Sequence, residues 1–346
     1  MYQALKLPRS AFVDIRDHRY HVLQWGEQQP DTPPLVLVHG WMDVAASWQF
    51  MVDALQQDRW IIAPDWRGFG QSRLINGTLE GAPPVDCYWF PDYLADLDAL
   101  LDHWVGAGPA VDLVGHSMGG NIAMMYGGVR PGRIRRLVNL EGFGLPASRP
   151  AQAPDRYAKW MDEIKALRRG DLTLKDYETV EGVARRLMKT NPRLAQDKAA
   201  WLAHQWAPNA QGRWAILGET AHKITNAHLY QVEETLAIYR RISAPVLSVT
   251  ASDDSLSQWW KGHFTLAEYH ERLTVPNAES AVIQDEAMLH HDQPQALPWS
   301  VSWAARCDVS IGCSPSTASG RLELPRFSTH RGNPSDEQPQ ECQIDV

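Results

Sequence analysis

Cysteine is scarce in this chain: its 346 residues hold four, Cys87 alone and Cys307, Cys313 and Cys342 together near the C-terminus. Their spacing fits neither a zinc-ligand pattern nor the disulfide framework of a small secreted domain, so free thiols are expected. A basic surplus is missing too. Lys and Arg total 33 against 41 Asp and Glu, a formal charge of −8, which excludes the basic surface that nucleic-acid binding needs. No apolar run approaches the roughly 20 residues that cross a bilayer, so no membrane partner is expected. Residues 1–10 carry two basic side chains without an apolar stretch behind them, which is not a secretory signal. The expected setting is the cytoplasm, the expected partner a small-molecule substrate, and no cofactor is implied; oligomeric state is left open.

A hydrophobic content of 44% is enough for a large buried core in a chain of this length. Its most informative segment is Val111-Asp112-Leu113-Val114-Gly115-His116-Ser117-Met118-Gly119-Gly120. An apolar strand runs into Gly-x-Ser-x-Gly, and Asn121-Ile122-Ala123-Met124-Met125-Tyr126 reads as a helix after it. That context is what a nucleophilic serine on a tight strand-to-helix turn requires, because only small residues on either side let the backbone make the turn.

Around this turn the sequence alternates. Phe12–Arg16 and Tyr20–Trp25 flank Asp17-His18-Arg19 as an opening antiparallel hairpin. Buried strands are expected at 35–38, 60–63, 111–116, 136–140 and 245–249, with helical periodicity over 45–55 and 90–104. Strands alternating with helices predict an α/β fold whose central sheet is mostly parallel and flanked by helices. Residues 1–141 and 242–297 are assigned to this core. Residues 142–241 read instead as helical segments rich in Trp, Arg and Lys with no buried strand, an inserted helical cap. Many of the fifteen tryptophans fall there, and Trp160, Trp201, Trp206 and Trp214 suit either the lining of an apolar cavity or plain packing. Residues 298–346 lose all periodicity and are expected to be a disordered or aberrant tail, with only the beginning of a covering helix at 295–305. The abrupt change in composition suggests a reading frame displaced near residue 297.

Three motifs together, the strand ending in His39-Gly40-Trp41, Asp65-Trp66-Arg67-Gly68-Phe69-Gly70-Gln71-Ser72 and the turn around Ser117, resemble those of the α/β-hydrolases over residues 10–297. His39-Gly40-Trp41-Met42-Asp43 followed by Ala45-Ala46-Ser47-Trp48 most resembles the capped serine hydrolase-like esterases. The resemblance implies that Ser117 is the nucleophile and that the backbone amides of Met118 and Trp41 form the oxyanion hole. His39 is expected to shape its loop by bonding backbone, His116 to pack, and Asp65 and Arg67 to close a nearby loop. Capped dehalogenases and epoxide hydrolases carry an Asp at this turn, so Ser117 points to acyl transfer to water, with small apolar carboxylic esters first. Hydrolysis of carbon–carbon bonds in diketones uses the same constellation and stays open.

For the acid, the family pattern after the strand that follows the cap selects Asp254 over the adjacent Asp253. Glu141 is the alternative, because some relatives place the acid at the end of the strand before the cap. At the base the sequence departs from the family. Counting back from His290-His291-Asp292 puts Ala287 where the histidine should stand. Three readings follow: an enzyme crippled by loss of its base, a working hydrolase using His290 or His291, or a non-catalytic ligand-binding protein of the same fold.

Overall fold

The computed structural model describes residues 2–75, 85–210, 212–283, 288–292 and 294–295. Ala287, the tail from residue 298, the helix expected at 295–305 beyond its first residue, and Cys307, Cys313 and Cys342 lie outside these; Cys87 is a free thiol.

Twelve strands are described: β1 (Arg9–Ile15), β2 (His18–Trp25), β3 (Leu35–Val38), β4 (Ile61–Pro64), β5 (Arg73–Leu74), β6 (Val111–His116), β7 (Ile134–Leu140), β8 (Asp176–Tyr177), β9 (Asn209–Ala210), β10 (Arg213–Ala215), β11 (Val246–Ala251) and β12 (Ala278–Ile283). Nine of them form the central sheet in the order β1-β2-β4-β3-β6-β7-β11-β12, with β5 paired to β2. From β4 onward every neighbouring pair is parallel, and β1 and β2 add antiparallel. The opening hairpin turns earlier than its polar residues suggest. Ile15 pairs with His18, so the turn is Arg16-Asp17, with Arg16 at φ 54°.

The helices are α1 (Gln49–Ala54), α2 (Phe90–Val105), α3 (Met118–Val129), α4 (Ala153–Arg168), α5 (Val180–Thr190), α6 (Gln196–Trp206), α7 (Val232–Tyr239), α8 (Ser255–Trp259), α9 (Leu266–Arg272) and α10 (Leu289–Asp292). Because strand side chains alternate, each buried strand feeds two cores. Val36, Val38, Leu113 and Leu137 face the cluster holding α2 and α3 residues, whereas Leu35, Leu37, Val114 and Val138 face the one holding Trp48, Met51 and Leu289. Doubly covered strands read as continuous apolar runs, which is why they were legible.

Between β7 and β11 stand α4 to α7 and a small antiparallel sheet, β8-β10-β9. Its strands are two or three residues long, and the residues of β8 and β10 are not buried; such strands are too short to leave an alternating pattern. The apolar stripes of α5 and α6 (Val183, Leu187, Ala199, Leu202) pack on each other with Trp201, Trp206 and Trp214 around them, whereas Trp160 packs on the α2 side of the core. α7 sits on α3, where a side chain at Gly128 would collide with the Ile238 carbonyl.

One contact fastening this segment to the core is acid-sensitive. The His222 ring stacks between Phe69 and Tyr88, with centroids 3.6 and 4.0 Å away, and burial pushes its pKa down to about 3. The unfolded imidazole titrates near 6.5, so below that pH the unfolded chain binds a proton the folded one refuses. This contribution is fully present above about pH 6.5 and lost at roughly 1.4 kcal/mol per pH unit as pH falls towards 3. His222→Phe keeps a flat ring in the stack and is expected to flatten the fall in melting temperature between about pH 7.5 and 5. An equal slope in both proteins would show that this imidazole does not cause it.

Candidate active site

Ser117 leaves β6 at φ 51° and ψ −116° and is followed at once by α3. A non-glycine residue held there costs on the order of 1–3 kcal/mol, a strain that persists only where its surroundings over-determine it. The surroundings do so. The Ser117 N–H donates to the Leu140 carbonyl at 2.8 Å, and its own carbonyl accepts from the Asn121 N–H at 3.0 Å. Gly119 lies against the Val38 carbonyl so closely that no Cβ would fit. The serine side chain is left half-buried. Met118 opens α3, so its N–H has no acceptor within the helix. A Cβ added to Gly40 would stand 3.2 Å from Ser117 Cβ, which puts the next residue, Trp41, beside the nucleophile. Trp41 donates no loop hydrogen bond from its backbone among the described residues, and its side chain is 45% exposed.

His39 shapes the loop, as expected. Its Nδ1 donates to the Gly40 carbonyl at 2.8 Å while its Nε2 accepts the Trp66 N–H at 2.9 Å, an assignment fixed by the two partners. Asp65 is buried and accepts from His21 Nδ1 (2.8 Å), Ala45 N–H (2.7 Å) and Gln71 N–H (2.8 Å), joining the first two motif loops. Arg67 does not pair with Asp65; it makes a bidentate bond to buried Asp96 at 2.5 and 2.9 Å.

The structure separates the acid candidates. Asp254 caps α8: its carboxylate accepts the Ser257 N–H at 2.9 Å and the Ser257 hydroxyl at 2.6 Å. Asp253 pairs with Arg193 at 3.4 Å. No hydrogen bond or ion pair joins either to a histidine among the described residues, so the expected Asp254 and His290 do not form a relay there. The reason is local: an Asp directly before a helical turn is its N-cap and satisfies that turn's free N–H groups. Glu141, by contrast, is buried at the end of β7 at φ 56°. Its carboxylate accepts from Ala251 N–H and Met288 N–H, both at 3.3 Å, and its Oε2 lies 3.9 Å from His116 Nε2.

His290 and His291 are both buried, on α10. His290 Nε2 faces Asp43 Oδ2 at 3.4 Å, and its ring lies 4.3 Å from that of His116 and 4.8 Å from that of Trp48. Among the described residues, neither nitrogen of His291, nor Nδ1 of His116 or His290, has a hydrogen-bond partner, so none of these atoms holds the Ser117 hydroxyl. Burial pushes His290 down to about 3 and holds His116 and His291 well below the usual imidazole value, with the neighbouring His290 adding to both. All three rings are neutral at pH 7.

A family model described as the alpha/beta hydrolase fold matches residues 33–294. The chain belongs to the α/β-hydrolase fold family. Among curated proteins, the serine hydrolase-like protein of zebrafish (Danio rerio) is 24% identical over 277 residues, 73% of this chain and 80% of that one. The 2-hydroxy-6-oxo-2,4-heptadienoate hydrolase of Pseudomonas putida is 35% identical over 116 residues, 32% of this chain and 38% of that one. Among solved structures, the thioesterase domain from the curacin biosynthetic pathway superposes with a TM-score of 0.71 at 21% identity, covering 86% of this chain and 99% of that domain.

Within this α/β-hydrolase, two site residues escaped the reading of the sequence. Asp43 stood inside a quoted motif without a role, yet it is the carboxylate that faces His290. Asn139 brackets the turn carrying Glu141: its side chain accepts from Gly142 N–H and donates to Gly142 O, each at 2.9 Å. A polar residue set among the apolar Leu137, Val138 and Leu140 of β7 was the available signal, since such a group is buried only with partners.

Proposed function

We propose that this α/β-hydrolase is a serine hydrolase of small apolar carboxylic esters, acting through an acyl-enzyme on Ser117. The observation that carries the reading is the strained backbone of Ser117, stored where a hydroxyl must stand out from the sheet beside free N–H donors. Attack by Ser117 Oγ on the ester carbonyl generates an oxyanion, and the Met118 and Trp41 amides are its donors. The alcohol leaves with a proton, and water then releases the acid. His290 is the base in this reading. Its neutral ring can take a proton, and Asp43 stands ready to stabilise the imidazolium. A base with a pKa of about 3 is far weaker than the near-neutral optimum, so slow turnover is expected. Glu141 is the acid that holds the loop entering α10.

Residues 142–241 act in this proposal as a cap that sets acyl-chain preference. Trp206 is its most direct link to the site, because its indole N–H reaches Ser47 Oγ at 3.3 Å and Ser47 in turn bonds Asp43. Trp206→Ala is expected to shift the ranking of p-nitrophenyl esters of increasing acyl length; an unchanged profile would make Trp206 a packing residue only.

Mass spectrometry of the chain quenched during turnover of a p-nitrophenyl ester tests the main reading. An acyl adduct on the peptide containing Ser117 is expected. Saturable binding of the ester without adduct or product would replace it with the ligand-binding reading.

A further inference from the structure

We propose that Asp43, His116 and His290 form a binding site for one divalent transition-metal ion of the zinc class beside Ser117. These three residues come from the loop after β3, the end of β6 and α10, and one ligand atom of each lies within 4.8 Å of the others. All three are buried. Ligand atoms in a tetrahedral zinc site, about 2.0–2.1 Å from the metal, stand roughly 3.4 Å apart, so side-chain rotations of little more than 1 Å close the set.

The donor chemistry selects the ion. Two imidazoles and one carboxylate suit zinc and its neighbours, with a fourth position left for an exchangeable ligand, whereas calcium and magnesium require an all-oxygen shell with more ligands. A second observation points to a ligand. Among the described residues, Nδ1 of His116 and Nδ1 of His290 are buried without a hydrogen-bond partner, and leaving such a group unsatisfied costs about 1–3 kcal/mol. The supporting residues are in place as well. Asp43 Oδ1 is occupied by the Val44 N–H at 2.8 Å and by the Ser47 hydroxyl, which leaves Oδ2 turned towards His290. Lys198 Nζ donates to the His291 carbonyl at 2.9 Å and fixes α10. Such outer contacts orient ligands and tune affinity.

Binding is independent of whether Ser117 turns over an ester. Its consequence rests on the proposed hydrolysis: an ion on His290 takes the lone pair that the base needs, so zinc inhibits.

The test uses the full chain, free of any polyhistidine tag and stripped with a chelator, titrated with zinc and separately with cobalt(II) without substrate. One equivalent is expected to bind, quenching or shifting the fluorescence of Trp48 and its neighbours, and cobalt(II) is expected to give the visible absorption of a low-coordinate site. Saturating zinc should raise the melting temperature by at least about 2 °C, a measurement on the parent that no misfolded variant can spoil. His290→Gln and Asp43→Asn, each checked for a native circular-dichroism spectrum, should weaken zinc binding by at least about 10-fold, the lower end of what losing even an outer-shell partner costs. Absence of a stoichiometric zinc site in the parent, or a site that survives both substitutions with equal affinity, overturns the proposal. Magnesium binding as tightly as zinc overturns the donor argument.

Discussion

Ser117→Ala is expected to lower p-nitrophenyl ester turnover by about 10²- to 10³-fold, well short of the roughly 10⁶-fold that loss of a fully working serine or histidine costs in a serine protease. Residues that act as a unit are not additive: when the base works poorly, the serine has less to lose. Here His290 is the buried imidazole that faces Asp43, and burial holds it at about 3. None of the unpartnered imidazole nitrogens engages the Ser117 hydroxyl. The oxyanion donors remain in the variant and keep about 10³-fold over water in the systems where this has been dissected. A drop near 10⁶-fold would mean a competent base is already at work; turnover that survives at the parental rate would remove Ser117 from the chemistry altogether.

The parts of the site legible in the sequence are those whose chemistry is local. Leu35–Val38 and Val111–His116 announce themselves because both faces are buried, and Gly115, Ser117 and Gly119 because the turn admits no larger neighbours. His39 could be read as a loop-shaping residue because its partners, Gly40 and Trp66, lie inside the motifs. Asp254 could not be judged in this way. Its competing role, capping α8 through Ser257, is also local, and nothing in a string of letters says whether a carboxylate caps a helix or crosses to a histidine. Glu141 and Asp43 depend on tertiary contacts with β11, α10 and residue 288, which no spacing encodes. The tryptophans show the same limit. Their number signalled apolar surface to be buried, but whether that surface is a cavity wall or the seam between α5 and α6 is decided by which stripes meet.

Ala287→His is expected to raise ester turnover by at least about 10²-fold, a part of the 10⁶-fold that a complete triad is worth, since imperfect geometry recovers only some of it. Ala287 lies outside the described residues, and the expectation rests on its neighbours. The α/β-hydrolase resemblance places the base at this point of the loop, and the next residue, Met288, is tied by its N–H to the Glu141 carboxylate. A new imidazole one residue before that bond is therefore expected close to the buried Glu141 at the end of β7. Glu141→Gln in the Ala287→His background should then cancel most of the gain, whereas Asp254→Asn should leave it, because Asp254 is spent on Ser257. The opposite pattern would restore Asp254 as the acid. If instead the parent is brisk, loses its activity in His290→Ala and gains nothing from Ala287→His, then His290 is a fully competent base and the loop needs no histidine at 287. Both comparisons belong on one ester at one pH, with kcat and KM separated. A true base changes kcat, whereas a residue that merely reshapes the pocket shows first in KM.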